Sequence, residues 1–258
     1  MKITGKANII EMTELCAGIY SMWIEAPALV EQAIAGQFVA LYCEDASRML
    51  PRPISICELD QKKGWLRLVF RVAGAGTEEF SRLTAGDKIE LMGPLGNGFS
   101  LEDGEPLLIG GGIGIPPMLE LAKALYQKRG KKGKAVLGYR DNTTFLAEEF
   151  APYAEVFLAS DDGSVGTKGT VLDAIWKQGL LADILYACGP TPMLRGIQAY
   201  AAKQKLPAQI SLEERMACGI GACLACVCQS TQTDAHTHVK NKRICKDGPV
   251  FYAEEVEL

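Results

Sequence analysis

The sequence predicts a multidomain β plus α/β protein: an N-terminal antiparallel β-barrel, a Rossmann-like parallel-sheet domain and a small cysteine-rich C-terminal domain. Three observations carry this. Residues 1–100 hold short β-prone segments parted by turn residues at close intervals. From residue 101 onward, strand-like and helix-like segments alternate. Of nine cysteines, Cys218, Cys223, Cys226, Cys228 and Cys245 crowd the last part of the chain. A chain of 258 residues is long for one small core, and it divides naturally at 1–100, 101–210 and 211–258.

In the first zone the β-branched and aromatic segments are 19–24, 37–42, 54–59, 66–72 and 88–91. Glu25-Ala26-Pro27, Ala35-Gly36, Lys62-Lys63-Gly64 and Ala85-Gly86-Asp87 separate them as turns. A short helix is expected over 77–83, with Thr77 as its cap. In the second zone, 107–110, 134–139, 156–159 and 184–187 read as strands, and 118–129, 171–178 and 191–204 as helices. The third zone, from Ser211, reads as loop.

Composition excludes several classes. The chain is 48% hydrophobic and 22% charged, with no low-complexity block, which argues against disorder. Net charge is −4, and the run Lys128, Arg129, Lys131, Lys132 and Lys134 reads as a solvated loop, so no nucleic-acid partner is expected. No apolar run is long enough for a membrane span. The opening residues lack the apolar core of a secretory signal, which predicts a cytoplasmic protein without a disulfide framework.

The cysteine spacing is Cys218-x4-Cys223-x2-Cys226, then Cys245. This is the plant-type [2Fe–2S] spacing. Gly219, Gly221, Ala222 and Ala225 let the backbone pass close to an inorganic core, so that N–H groups can point at sulfur. Buried free thiols and a four-cysteine zinc site are the alternatives, although zinc knuckles usually carry two C-x2-C pairs. A Rieske centre needs two histidines. His236 and His238 stand in a polar stretch that reads as solvated loop. Cys228 reads as a small core residue, with a ligand swap as the rival.

Elsewhere, Arg52-Pro53-Ile54-Ser55 opens a β-segment. Its guanidinium can clamp a pyrophosphate and its hydroxyl can bond a flavin ring nitrogen. Val69-Phe70-Arg71 leads through Gly74 and Gly76 to Thr77, a strand–turn–helix joint that either binds an anion or is only a joint. Gly110-Gly111-Gly112-Ile113-Gly114-Ile115-Pro116-Pro117 lacks the third glycine of the dinucleotide fingerprint but keeps a glycine turn before a proline-started helix. Cys188-Gly189-Pro190 ends a strand, where parallel sheets bind ligands. Gly111–Gly114 and the Cys188–Pro190 turn are expected to face one pocket.

Together these pieces resemble the ferredoxin–NADP reductase superfamily, and within it the electron-transfer subunits of type B dihydroorotate dehydrogenase, over essentially the whole chain. The most specific stretch runs from Leu212-Glu213-Glu214-Arg215-Met216 to Cys223, followed by Cys245 to Phe251. The resemblance implies FAD on Arg52, Pro53, Ile54, Ser55, Val69, Phe70, Arg71, Gly76 and Thr77. It implies cluster ligands at Cys218, Cys223, Cys226 and Cys245. NAD would lie on Gly111, Gly112, Gly114, Cys188, Gly189 and Pro190. It further implies a partner, an FMN-containing dihydroorotate dehydrogenase catalytic subunit, in a heterotetramer. No catalytic proton-transfer triad is expected. NAD against NADP stays open, since Asp161 and Asp162 disfavour a 2′-phosphate and Arg140 welcomes one. The rival functions are the electron-transfer subunit of a hydrogenase, sulfur reductase or transhydrogenase complex, and a zinc-binding interaction module.

Overall fold

The structure is a computed structural model that describes residues 2–233 and 238–258. The first zone contains β1 (Ile3–Cys16), β2 (Ile19–Glu25), α1 (Pro27–Val30), β3 (Phe38–Tyr42), β4 (Arg52–Asp60), β5 (Trp65–Arg71), α2 (Ala75–Phe80) and β6 (Lys88–Leu95). Its strands close into a barrel in the order β1-β2-β5-β4-β3-β6. Alternation builds the interior: in β6, Ile89 and Leu91 are buried between exposed Lys88 and Glu90. Met22, Ile24, Leu41, Ile56 and Leu68 fill the centre.

The longest strand, β1, is absent from the sequence expectation. Only Ile9 of it is buried, and the adjacent Ile9-Ile10 breaks the alternation of apolar and polar residues, so it has little periodic pattern to read. Backbone pairing holds it, to β2 on one side and β6 on the other. The helix after the glycines is also shorter and earlier than 77–83. Gly74 is its N-cap, so Thr77 is not the cap but the third helical residue. Its hydroxyl reaches back, accepting from the N–H groups of Ala73 and Gly74 at 2.9 and 3.2 Å.

The second zone comprises β7 (Pro106–Gly111), α3 (Ile115–Arg129), β8 (Gly133–Tyr139), β9 (Ala154–Ser160), β10 (Thr167–Lys168), α4 (Val171–Lys177), β11 (Ile184–Cys188), α5 (Thr191–Gln204) and β12 (Ala208–Ser211). The strands are parallel, and β7 and β11 are buried throughout, as a sheet covered on both faces requires. α3 begins at Ile115 rather than 118, with the two prolines inside its first turn, where their missing N–H groups cost nothing. The basic run, which spans the last turn of α3 and the start of β8, is less free than a solvated loop. Arg129 and Lys131 both bind Glu105, and Lys128 reaches Asp103 at 3.0 Å, tying the run to the linker from the barrel.

The third zone contains β13 (Val227–Gln229), β14 (Asn241–Arg243) and β15 (Val250–Tyr252). It is not all loop. β13 and β14 form a small hairpin sheet, and β15 joins the large sheet antiparallel to β12, giving the order β10-β9-β8-β7-β11-β12-β15. Among the described residues, no helix is long and apolar enough to cross a membrane.

Candidate functional site

The sheet order reverses direction at β7, which has β8 on one side and β11 on the other. Such a switch point leaves a crevice beyond the strand C-termini. A cleft of about 930 Å³ opens there, walled on the barrel side by Cys16 and Ala17 at the β1–β2 turn and by Arg71 at the end of β5. Gly111, Gly112 and Pro190 line it. Gly112 has φ +53° and nothing within 4 Å of where a Cβ would stand, so here the backbone itself faces the cleft.

The neighbouring glycines serve packing. A Cβ on Gly114 would stand 2.5 Å from the Cys188 carbonyl, and one on Gly111 would stand 2.5 Å from the Met193 sulfur. Gly114 is thus the seat of α3 against β11 and does not line the cleft. Cys188 is fully buried and burial pushes its thiol up, so it is a core residue in this structure. Gly189 lines a smaller recess of about 350 Å³ on the other side of the same turn, with Glu213. The pocket expected to join Gly111–Gly114 with Cys188–Pro190 therefore holds only part of each segment.

Several cleft residues went unseen in the sequence. Gly169 and Thr170 line it because Thr170 caps α4, exchanging hydrogen bonds with Asp173, and this T-x-x-D pattern was the available signal. Asp141 lines it too, beside Arg140 and Asp161, two residues already weighed for NAD against NADP. Asp141 is held below the usual carboxylate range by hydrogen bonds from Thr143. Asp162 instead binds Ser164, at 2.6 and 2.9 Å. The Asp161 carboxylate has no hydrogen-bonding partner among the described residues. Glu213, just beyond β12, is open to solvent yet walled by protein. That desolvation raises its carboxyl, and Arg71 across the gap pulls it down.

On the barrel, Arg52 lies across Gly76: a Cβ there would stand 2.0 Å from its Nε. Arg52 Nη1 donates to the carbonyls of Leu50 and Arg48. Nε and Nη2 meet no acceptor among the described residues, and they adjoin the first-turn N–H groups of α2, which have no intrahelical partner. A guanidinium beside free amides fits a pyrophosphate. Arg48, bonded to Ala75 O at 2.8 Å and to Glu79 at 2.6 Å, fastens the preceding loop to the same helix.

The cysteine loop folds around sulfur. Ile220, Ala222 and Cys223 all aim their N–H groups at Cys218 Sγ, at 3.5, 3.3 and 3.4 Å, and Cys245 N donates to Cys226 Sγ at 3.4 Å. Desolvation opposes ionisation of Cys218, but the backbone donors outweigh it and bring the thiol down to about 6. Gly219 and Gly221, at φ +67° and +84°, make these approaches possible. The thiols contact one another in pairs, Cys218 with Cys223 and Cys226 with Cys245. Among the described residues, no three His, Cys, Asp or Glu side chains are gathered around a single metal position. Cysteine sulfurs that accept several backbone N–H groups fit an iron–sulfur cluster. Cys228 packs against the apolar core beside them. His238 is exposed, and His236 lies outside the described residues.

The cluster loop is seated on the barrel. Gly219 lies against Leu95, Met92 and Ala40. Asn97 N donates to Gly248 O at 2.6 Å, and its side chain donates to Asp247 O at 2.9 Å, just beyond Cys245.

Three family matches divide the chain. Residues 6–99 match the oxidoreductase FAD-binding domain, 108–199 the oxidoreductase NAD-binding domain, and 213–257 the iron-sulfur cluster binding domain of dihydroorotate dehydrogenase B. The dihydroorotate dehydrogenase B (NAD(+)) electron transfer subunit of Geobacillus kaustophilus is 44% identical over 264 residues, covering 100% of this chain and 98% of its own. Its counterpart in Bacillus cereus (strain B4264) is 41% identical over 256 residues, 97% of each chain. A chain from the structure of an NADH-dependent reduced ferredoxin-NADP oxidoreductase superposes with TM-score 0.87 at 32% identity, covering 100% of this chain and 91% of that one. A ferredoxin NADP+ reductase from Neisseria gonorrhoeae, with TM-score 0.67, 15% identity and coverage of 82% and 94%, shares the fold.

Proposed function

This chain belongs to the family of dihydroorotate dehydrogenase B electron transfer subunits, and on that premise we propose that it carries electrons from a dihydroorotate-oxidising partner subunit to NAD+. The partner in this reading is the FMN-containing catalytic subunit, joined in a heterotetramer in the cytoplasm. Cys218, Cys223, Cys226 and Cys245 hold the cluster. Arg52 and the first turn of α2 hold the FAD pyrophosphate, and Gly111, Gly112 and Pro190 hold NAD.

One observation carries the reading. The cluster loop sits on β3 and β6 of the barrel, while the cleft meets the ends of β1 and β5. A barrel-bound flavin would thus stand between the two other carriers. When bound, the flavin joins one-electron to two-electron transfer. The protein's part is to hold, orient and insulate. The exposed side chains of Ile220 and Leu224 on the cluster loop suit an apolar contact with the electron donor.

The test is the visible spectrum of anaerobically purified protein, with iron, zinc and flavin analysis. Flavin bands over broad cluster absorption, with iron and no zinc, are expected. Zinc without flavin would sink the reading. A second reading, a subunit of a transhydrogenase-type complex, is favoured by the 32% identity to the oxidoreductase chain. Copurification distinguishes them: the first requires an FMN partner that oxidises dihydroorotate.

A further inference from the structure

The interface between barrel and dinucleotide domain contains buried charge that neither site uses. β3 pairs with β4 only between Arg52 and Ser55, and Gln37 O accepts from Ile56 N. Beyond that point β4 overhangs its neighbour and exposes a strand edge, whose polar groups need partners. Two side chains of α3 supply them at a single residue. Leu59 N donates to Glu120 Oε2 at 2.8 Å, and Lys123 Nζ donates to Leu59 O at 2.6 Å.

A second tie lies alongside. Arg67 of β5 is 7% exposed and grips both carboxylate oxygens of Glu149, which belongs to the dinucleotide domain. Ser21 Oγ accepts from Arg67 Nε at 2.9 Å, and Glu58 lies 3.4 Å from Nη1. Lys123 stands 3.7 Å from Glu58 and 3.6 Å from Glu120, so the two ties share one charge network.

The tied elements are those that carry the sites. β4 begins with Arg52–Ser55, and β5 ends at Arg71 on the cleft wall. The glycine turn that opens α3 lines the cleft. We propose that Glu120 and Lys123, with the Arg67–Glu149 pair, are positioning residues that fix the dinucleotide domain on the flavin barrel and thereby set the approach of nicotinamide to flavin. This rests on the function proposed above. Domains of one chain move relative to one another unless their interface prevents it. A misplacement of about 1 Å can cost on the order of 10²-fold in rate. Buried charges hold a geometry well, because separating them leaves each unpaired.

The experiment is anaerobic stopped-flow reduction of the flavin by NADH in the holoprotein, over a range of NADH concentrations. Flavin content and thermal melting are recorded for each variant. For Glu120→Ala the limiting rate should fall by roughly 10-fold or more, while the NADH dissociation constant stays within about 3-fold. Glu120→Gln, which can still accept from Leu59 N, should recover most of the rate. Glu149→Ala removes the half-exposed partner and should lower the limiting rate in the same sense. It carries the test should Glu120→Ala not fold. Unchanged limiting rates, a change in the dissociation constant alone, or a loss that Glu120→Gln does not restore would overturn the inference. A wild type whose flavin NADH cannot reduce would overturn the function proposed above, and this inference with it.

Discussion

Glu120 of α3 accepts the Leu59 N–H of β4 at 2.8 Å, where the parallel-sheet domain meets the barrel. In α3 it reads as an ordinary helical glutamate. In the fold it is 8% exposed, and burial pushes its carboxyl up to about 7, against the pull of Lys123 and the Leu59 N–H. The groups around it are Glu58 on β4, Lys123 on its own helix, and Arg67 and Glu149 in the adjoining pair. A carboxyl whose pKa rises on folding binds its proton more tightly in the native state. Its contribution to stability is therefore full below the ordinary value of 4.5 and is lost as pH rises through about 7. Glu120→Gln removes this dependence. Melting temperatures of wild type and variant, compared from pH 5 to 8, should show the wild type losing ground as pH rises, and a constant difference would refute the assignment. The cysteines are the opposite case: their spacing announced the cluster, because ligand chemistry depends on residue type. Gly114 and Cys188 looked like ligand residues by motif, but what they touch is each other's backbone.

At the scale of elements, the two arms of the cysteine zone are joined by a specific staple. Arg243, ending β14, binds Asp247 through Nε and Nη2 at 2.9 and 3.0 Å and reaches Gly221 O at 3.4 Å. It thus links the segment carrying Cys245 to the glycine loop carrying Cys218 and Cys223. Arg243→Ala should leave the barrel and sheet intact by circular dichroism. Its iron should escape to a chelator at least several-fold faster than that of wild type. Equal release rates would show that the cysteines hold the arms unaided. The staple was illegible in sequence because it depends on the turn after β14, and the polar loop between Cys226 and Cys245 carries no periodic signal. β1 was missed for a related reason, since its stability comes from two partner strands and not from its own apolar pattern.

For the whole molecule, the arrangement makes two separable functions. The dinucleotide cleft and the cluster loop meet different parts of the barrel, so losing one should not disable the other. Cys223→Ser should abolish cluster absorption and dihydroorotate-linked NAD+ reduction in the complex. NADH oxidation with an artificial acceptor, through FAD alone, should be largely retained. Loss of both activities with flavin still bound would contradict separate carriers.

The sequence alone determined the barrel-then-parallel-sheet order, the glycine turns at the strand ends and the cysteine spacing of the third zone. Strand and helix periodicity, turn residues and metal-ligand spacing are all local features, readable over a few residues. Tertiary structure decided the rest. It closed the barrel with β1, drew β15 into the large sheet, and turned Thr77 from a cap into a brace. It also buried Glu120 and Arg67 between domains. These outcomes depend on which distant segments come together, and pairing between strands or burial between domains leaves no mark in the local pattern.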